Sequence, residues 1–232
     1  MNQVIAMHGW GINSDMWHRW KEKFQNLQWE WTDAERGYGY IQEKEASWLK
    51  EEKVFTCKRR LFIGHSLGTH LVKKEVLQNA TDIVLLYSFS SFIPMKDKRR
   101  SIKIALEAMH NYIGTKKEDS MHRDFLVKAD YLLNPSNEKN LKISTTGRQK
   151  LKDDLKLLIN TKGLPKCLNT NARVLIINAG LDKIVCSESQ ETLYEDSKMH
   201  FKLTPKILNI PLAGHIFLSE QVFEEINNWI KL

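Results

Sequence analysis

Cysteine is scarce. Three occur in 232 residues, Cys57, Cys167 and Cys186, and no two form a Cys-x-x-Cys pair. So few, so scattered and odd in number, they argue against a disulfide framework and predict reduced thiols in a cytosolic protein. Long apolar runs are missing too, and none approaches the length of a membrane span. The opening Met1-Asn2-Gln3-Val4-Ile5 has no basic stretch followed by a long apolar one, which predicts an immediate strand and no signal peptide. Internal repeats and low-complexity tracts are absent. His65, His70, His110, His122 and His200 show no ligand spacing with cysteines or carboxylates. That argues against a metal site, and nothing calls for a cofactor.

What is present fits one domain with a substantial core, with hydrophobic residues at 42% and charged residues at 27%. Short apolar runs alternate with longer amphipathic stretches, the pattern of a mostly parallel sheet flanked by helices. Val4–Met7, Trp29–Thr32, Leu61–Ile63, Ile83–Tyr87, Val174–Ile177 and Ile207–Ile210 read as strands buried on both faces. Thr69–Asn79 reads as a helix, and so does the C-terminal stretch with Val222, Phe223, Ile226, Trp229 and Ile230.

The stretch from Pro94 to Pro165 differs. It holds no convincing strand, while Ile102, Leu106, Met109 and Ile113 recur at helical spacing, as do Leu151, Leu155 and Leu158. Asn134-Pro135-Ser136-Asn137 is a loop signal. The division expected is a core of residues 1–93 and 166–232, interrupted by a helical cap at 94–165. The cap also holds the charge. It carries 16 Lys and Arg against 9 Asp and Glu, which accounts for the whole formal charge of +7. Lys96-Asp97-Lys98-Arg99-Arg100 is its densest cluster. No nucleic-acid recognition motif accompanies it.

Gly64-His65-Ser66-Leu67-Gly68 matches Gly-x-Ser-x-Gly between a predicted strand and a predicted helix. In that context the serine sits on a sharp turn as an exposed nucleophile, with the helix N-terminus facing developing negative charge. A serine nucleophile also needs two donors for the tetrahedral oxygen. His8-Gly9-Trp10-Gly11 follows the first strand, so the backbone N–H groups of Trp10 and Leu67 are the expected pair. His8 itself is expected to be structural. Asp182 follows the strand ending at Ile177, and His215 follows the strand ending at Ile210. That places acid and base on the same rim as Ser66. Asp154 and Asp196 lie in helical stretches and fit the acid's role less well. Trp10, Phe89 and Phe92, close to the oxyanion loop or just beyond a strand, are expected to line an apolar acyl pocket.

Together these motifs resemble the α/β-hydrolase superfamily over nearly the whole chain. The segment Met7-His8-Gly9-Trp10-Gly11-Ile12-Asn13-Ser14-Asp15-Met16-Trp17 is similar to that of BioH-type pimeloyl-[acyl-carrier-protein] methyl ester esterases, which act in biotin synthesis. The resemblance implies Ser66 as nucleophile, Asp182 as acid, His215 as base, and Trp10 and Leu67 as oxyanion donors. It implies no cofactor, and it suits a cap that docks an acidic acyl carrier protein through residues such as Arg99 and Arg100. The chain is expected to depart from these relatives in an absent N-terminal hairpin, and it has Thr69 after Gly68. A generic short-chain carboxylesterase or thioesterase, and a non-catalytic ligand-binding homologue, are the alternative expectations.

Overall fold

All six apolar runs form strands: β1 (Asn2–Met7), β2 (Trp29–Ala34), β3 (Arg60–His65), β4 (Asp82–Leu86), β5 (Arg173–Ala179) and β6 (Lys206–Ile210). The computed structural model describes residues 1–49, 59–95, 98–130 and 142–232. Cys57, Lys96, Asp97 and the Asn134–Asn137 loop signal lie outside the described residues. The strands make one sheet in the order β2-β1-β3-β4-β5-β6, every neighbouring pair parallel. The expected architecture, a parallel sheet flanked by helices, is therefore the one observed. Side-chain alternation splits its core in two. Val4, Ala6, Leu61, Ile63, Leu175 and Ile177 face α1 (His18–Asn26) and α8 (Glu220–Lys231) through Trp20, Phe24, Phe223 and Trp229. Ile5, Phe62, Ile83 and Ile176 face α3 (Lys74–Asn79) and α7 (Ser187–His200) through Val76, Leu77 and Leu193.

Between β4 and β5 the chain forms α4 (Arg99–Tyr112), α5 (Glu118–Lys128) and α6 (Thr145–Asn160). Sequence periodicity points to α4 and α6 but not to α5. Its inward face includes the buried polar residues Glu118 and His122 beside Met121 and Leu126, which breaks the apolar stripe. A second difference follows Ser66. The helix expected over Thr69–Asn79 is two short ones, α2 (Gly68–Leu71) and α3, separated by the extended residues Val72 and Lys73. The break keeps both apolar pairs, Leu71 with Val72 and Val76 with Leu77, against the same cluster. Among the described residues no helix is long and apolar enough to cross a membrane.

Polar groups under the β1 loop are tied together by Glu35. Its carboxylate accepts from the backbone N–H of Ser14 (2.8 Å) and Gly37 (2.7 Å) and lies 3.1 Å from His8 Nε2. Burial opposes ionisation of Glu35, but the His8 hydrogen bond and charge and the two backbone donors more than offset it, holding its pKa below the ordinary 4.5. A carboxylate whose pKa is depressed on folding contributes stability above its unfolded value and loses it as pH falls through the folded value. Glu35→Ala should therefore cost about 3 kcal/mol at neutral pH, as removing one partner of a buried pair does. Urea titrations should show this deficit shrinking as pH is lowered below the usual carboxylate range. A deficit independent of pH would mean that the ionised carboxylate is not what stabilises the loop.

Candidate active site

Ser66 follows β3 directly, with φ at 53°, a left-handed conformation that costs a non-glycine residue energy. The turn is held by Ser66 N–H donating to the Leu86 carbonyl (2.9 Å) and Ser88 Oγ donating to the Ser66 carbonyl (2.7 Å). It also packs tightly. A Cβ on Gly68 would lie 2.4 Å from the Met7 carbonyl oxygen, and one on Gly9 would lie 2.9 Å from Ser66 Cβ. Only glycine at these two positions lets the end of β1 and its following loop sit against the serine.

Two loops at the same edge of the sheet reach Ser66. His215 Nε2 is 3.0 Å from Ser66 Oγ, and His215 Nδ1 is 2.8 Å from Asp182 Oδ2. The acid and imidazole side chains are 1% and 2% exposed. Asp182 Oδ1 accepts from the backbone N–H groups of Ile184 and Val185, each at 2.8 Å, which fixes the carboxylate's rotation. The structure thus joins the three residues singled out from β3, β5 and β6 into one hydrogen-bonded chain. In it Oγ can lose a proton to Nε2 while the carboxylate balances the imidazolium. Asp154 lies elsewhere, accepting from Arg36 at 2.8 and 2.9 Å and from the Tyr38 hydroxyl at 2.6 Å.

Trp10 lines the cavity above Ser66, and its indole N–H donates to the Leu151 carbonyl of α6 at 3.0 Å. Its ring meets Phe125 of α5 edge-on, 4.9 Å between centroids. Leu67 immediately precedes α2. Because α2 is only four residues long, the individual N–H groups matter here more than the macrodipole expected from a longer helix. His8 is fully buried, with Nδ1 donating to the Gly9 carbonyl at 2.8 Å, in keeping with a structural role.

The cavity encloses about 410 Å³, and its apolar wall includes Trp10, Phe92, Leu106, Met109, Leu155 and Leu158. Phe89 is a correction. It is fully buried and does not line the cavity, because its ring stacks on His70 (5.4 Å) and backs Phe92 edge-on (5.1 Å). Arg99 and Arg100 are exposed at the start of α4, away from the cavity wall.

Two histidines set aside on sequence grounds bear on the site. His65 Nε2 donates to the backbone carbonyl of His215 (2.8 Å), and burial pushes its pKa well below the ordinary value, keeping it a neutral strut. His122 Nε2 donates to the Gly11 carbonyl at 2.6 Å, tying the β1 loop to α5. His65 lies inside the Gly-x-Ser-x-Gly motif, but its partner is 150 residues away. His122 carries no local signal at all.

No family model and no curated protein matches the chain significantly. Solved structures do resemble it. An esterase from Exiguobacterium antarcticum superposes with a TM-score of 0.72 at 16% identity, covering 100% of this chain and 92% of that one. An α/β-hydrolase enzyme from a Medee basin deep-sea metagenome gives 0.59 at 15%, covering 100% and 90%. The enol-lactonase from Burkholderia xenovorans gives 0.63 at 10%, covering 100% and 92%. At these identities the likeness is one of fold, and the fold is that of the α/β-hydrolases.

Proposed function

We propose that this chain is a serine hydrolase of acyl esters. The observation that carries the reading is the Ser66–His215–Asp182 hydrogen-bonded chain beneath an apolar cavity. Ser66 Oγ attacks the ester carbonyl as His215 Nε2 takes its proton. Asp182 holds the tautomer and stabilises the imidazolium. The N–H groups of Trp10 and Leu67 take the oxyanion, each worth roughly 10²- to 10³-fold in such sites. Collapse expels the alcohol, protonated by His215, and water then hydrolyses the acyl-enzyme by the same relay. In this reading the division at 94–165 is that of a cap, whose helices α4, α5 and α6 supply most of the acyl pocket, and of a core, 1–93 and 166–232, that supplies Ser66, Asp182 and His215. The test is hydrolysis of p-nitrophenyl butyrate by wild type and Ser66→Ala. Turnover in neither would favour a non-catalytic ligand-binding homologue.

The substrate we favour is pimeloyl-[acyl-carrier protein] methyl ester, consumed in biotin synthesis in the cytoplasm. The similarity of Met7–Trp17 and the basic cap support it. Lys98, Arg99 and Arg100 crowd the start of α4 with no acid in its first turn. Positive charge at a helix N-terminus opposes the macrodipole by about 0.3–1 kcal/mol per residue, so the cluster does not serve the helix. It suits an acidic carrier protein, whose encounter it would steer. Such steering weakens as the Debye length falls from about 10 Å at 0.1 M salt to about 3 Å at 1 M. Accordingly, kcat/KM for a carrier-bound ester should fall steeply with salt while that for p-nitrophenyl butyrate stays nearly flat. Reversing Arg99 and Arg100 to Glu should give the high-salt behaviour at low salt. Parallel salt curves for both substrates would point instead to a generic carboxylesterase or thioesterase. Complementation of a biotin auxotroph lacking its methyl esterase tests the pathway directly.

A further inference from the structure

The cavity above Ser66 is apolar along one part of its wall and cationic along another. Lys117, Lys128 and Lys183 line it, against one carboxylate, Asp124. Lys117, Ser120, Asp124 and Lys128 recur every three or four residues and so share one face of α5 and its N-cap. From Lys117 to Lys128 that row runs roughly 16 Å along the cavity. Lys183 comes from a different element, the loop directly after Asp182.

Among the described residues none of these ammonium groups is held in a close ion pair. Lys117 lies over the Tyr112 ring at 4.9 Å, a contact that positions it on the wall without neutralising it. Lys183 comes no closer than 3.9 Å to Asp130 Oδ1, with its side chain 63% exposed. Lys128 has no carboxylate partner among the described residues. A neutral acyl chain gains nothing from three cations beside its apolar pocket. Ligand cavities are mostly apolar, with a few convergent polar groups that fix orientation, and here the charged ones are three cations against the single carboxylate of Asp124.

We propose that the substrate carries an anionic group, a carboxylate or a phosphate, on the part of the molecule remote from the scissile ester, and that Lys117, Lys128 and Lys183 recognise it. The proposal rests on the hydrolase reading above and specifies the substrate class of the same site. The apolar chain lies along Leu106, Met109, Leu155 and Leu158, while the anion stays near water at the lysines. Exposed ammonium–anion pairs are individually weak, so the discrimination comes from three acting together.

The test compares esters matched in length that differ only in charge. For a carboxylate, the monomethyl ester of a linear dicarboxylic acid is set against its dimethyl ester. For a phosphate, an acyl methyl ester carried on phosphopantetheine is set against the same acyl group on pantetheine. In at least one pair the charged member should have a kcat/KM about tenfold higher, expressed mainly in KM, and the pair that shows it identifies the anion. The charged-to-neutral ratio should fall towards one in Lys117→Gln/Lys128→Gln, a variant that leaves the Asp182 loop alone. Adding Lys183→Gln should complete the collapse. Calorimetric binding of the same pairs to Ser66→Ala asks the question without turnover. Failure of hydrolysis and failure of anion recognition are thereby read separately. A ratio near one in wild type for both pairs, or a ratio that survives the lysine substitutions, overturns the proposal.

Discussion

Ser66→Ala is expected to lower kcat for p-nitrophenyl butyrate roughly 10⁵- to 10⁶-fold and to leave the fold intact. The large loss follows because, among the described residues, the hydrogen-bond partner of His215 Nε2 is Ser66 Oγ, at 3.0 Å. The residual rate reflects the oxyanion donors and binding alone. Thermal stability should move little, because the substitution removes one hydroxyl beside a cavity that water can enter, and Tm should shift by no more than about 3 °C. Ser66→Gly separates chemistry from backbone strain. It should be as inactive as Ser66→Ala, yet more stable than Ser66→Ala. Glycine adopts the φ of 53° without the roughly 1–2 kcal/mol left-handed penalty. Part of that gain is lost to glycine's greater freedom when unfolded, about 0.4–1 kcal/mol. Substantial esterase activity in purified Ser66→Ala would move the nucleophile elsewhere and sink the reading.

How legible all this was in the sequence depended on whether the signal was local. The strands could be read because a parallel sheet covered on both faces demands short, unbroken apolar runs such as Ile83-Val84-Leu85-Leu86. Ser66, Asp182 and His215 could be placed because each lies just past one of those runs, and parallel strands deliver all their C-terminal ends to one edge. Local pattern failed where tertiary contacts decide. Helix α5 hides because Glu118 and His122 are buried for their partners, Arg148 at 2.8 Å and the Gly11 carbonyl at 2.6 Å, rather than for apolarity. The break at Val72–Lys73 has no glycine or proline to announce it. Phe89 and Phe92 look alike in sequence, and only the stacking of His70 on Phe89 sends one behind the other.

Asp182→Asn is expected to reduce kcat about 10⁴-fold with almost no change in stability, and the geometry says why. Oδ1 of Asp182 accepts two backbone N–H groups, from Ile184 and Val185, at 2.8 Å each. Both donors would be left without a partner if an amide NH₂ took that position, so asparagine must put its carbonyl oxygen there. Its NH₂ is then forced towards His215 Nδ1, which lies 2.8 Å from Oδ2 in wild type. An NH₂ can only donate, so Nδ1 must give up its hydrogen and Nε2 must carry it. The imidazole would then point a donor at Ser66 Oγ and could not take the serine's proton. Because the side chains are isosteric and both backbone bonds survive, Tm should stay close to wild type. Asp182→Ala, by contrast, orphans the two N–H groups and should cost about 1–3 kcal/mol. Nitrogen-15 NMR of the His215 ring reports the cause directly. Wild type should show the hydrogen on Nδ1 and Asp182→Asn should show it on Nε2. A variant that kept the wild-type tautomer while losing activity would show that Asp182 acts through its charge and not by orienting the base.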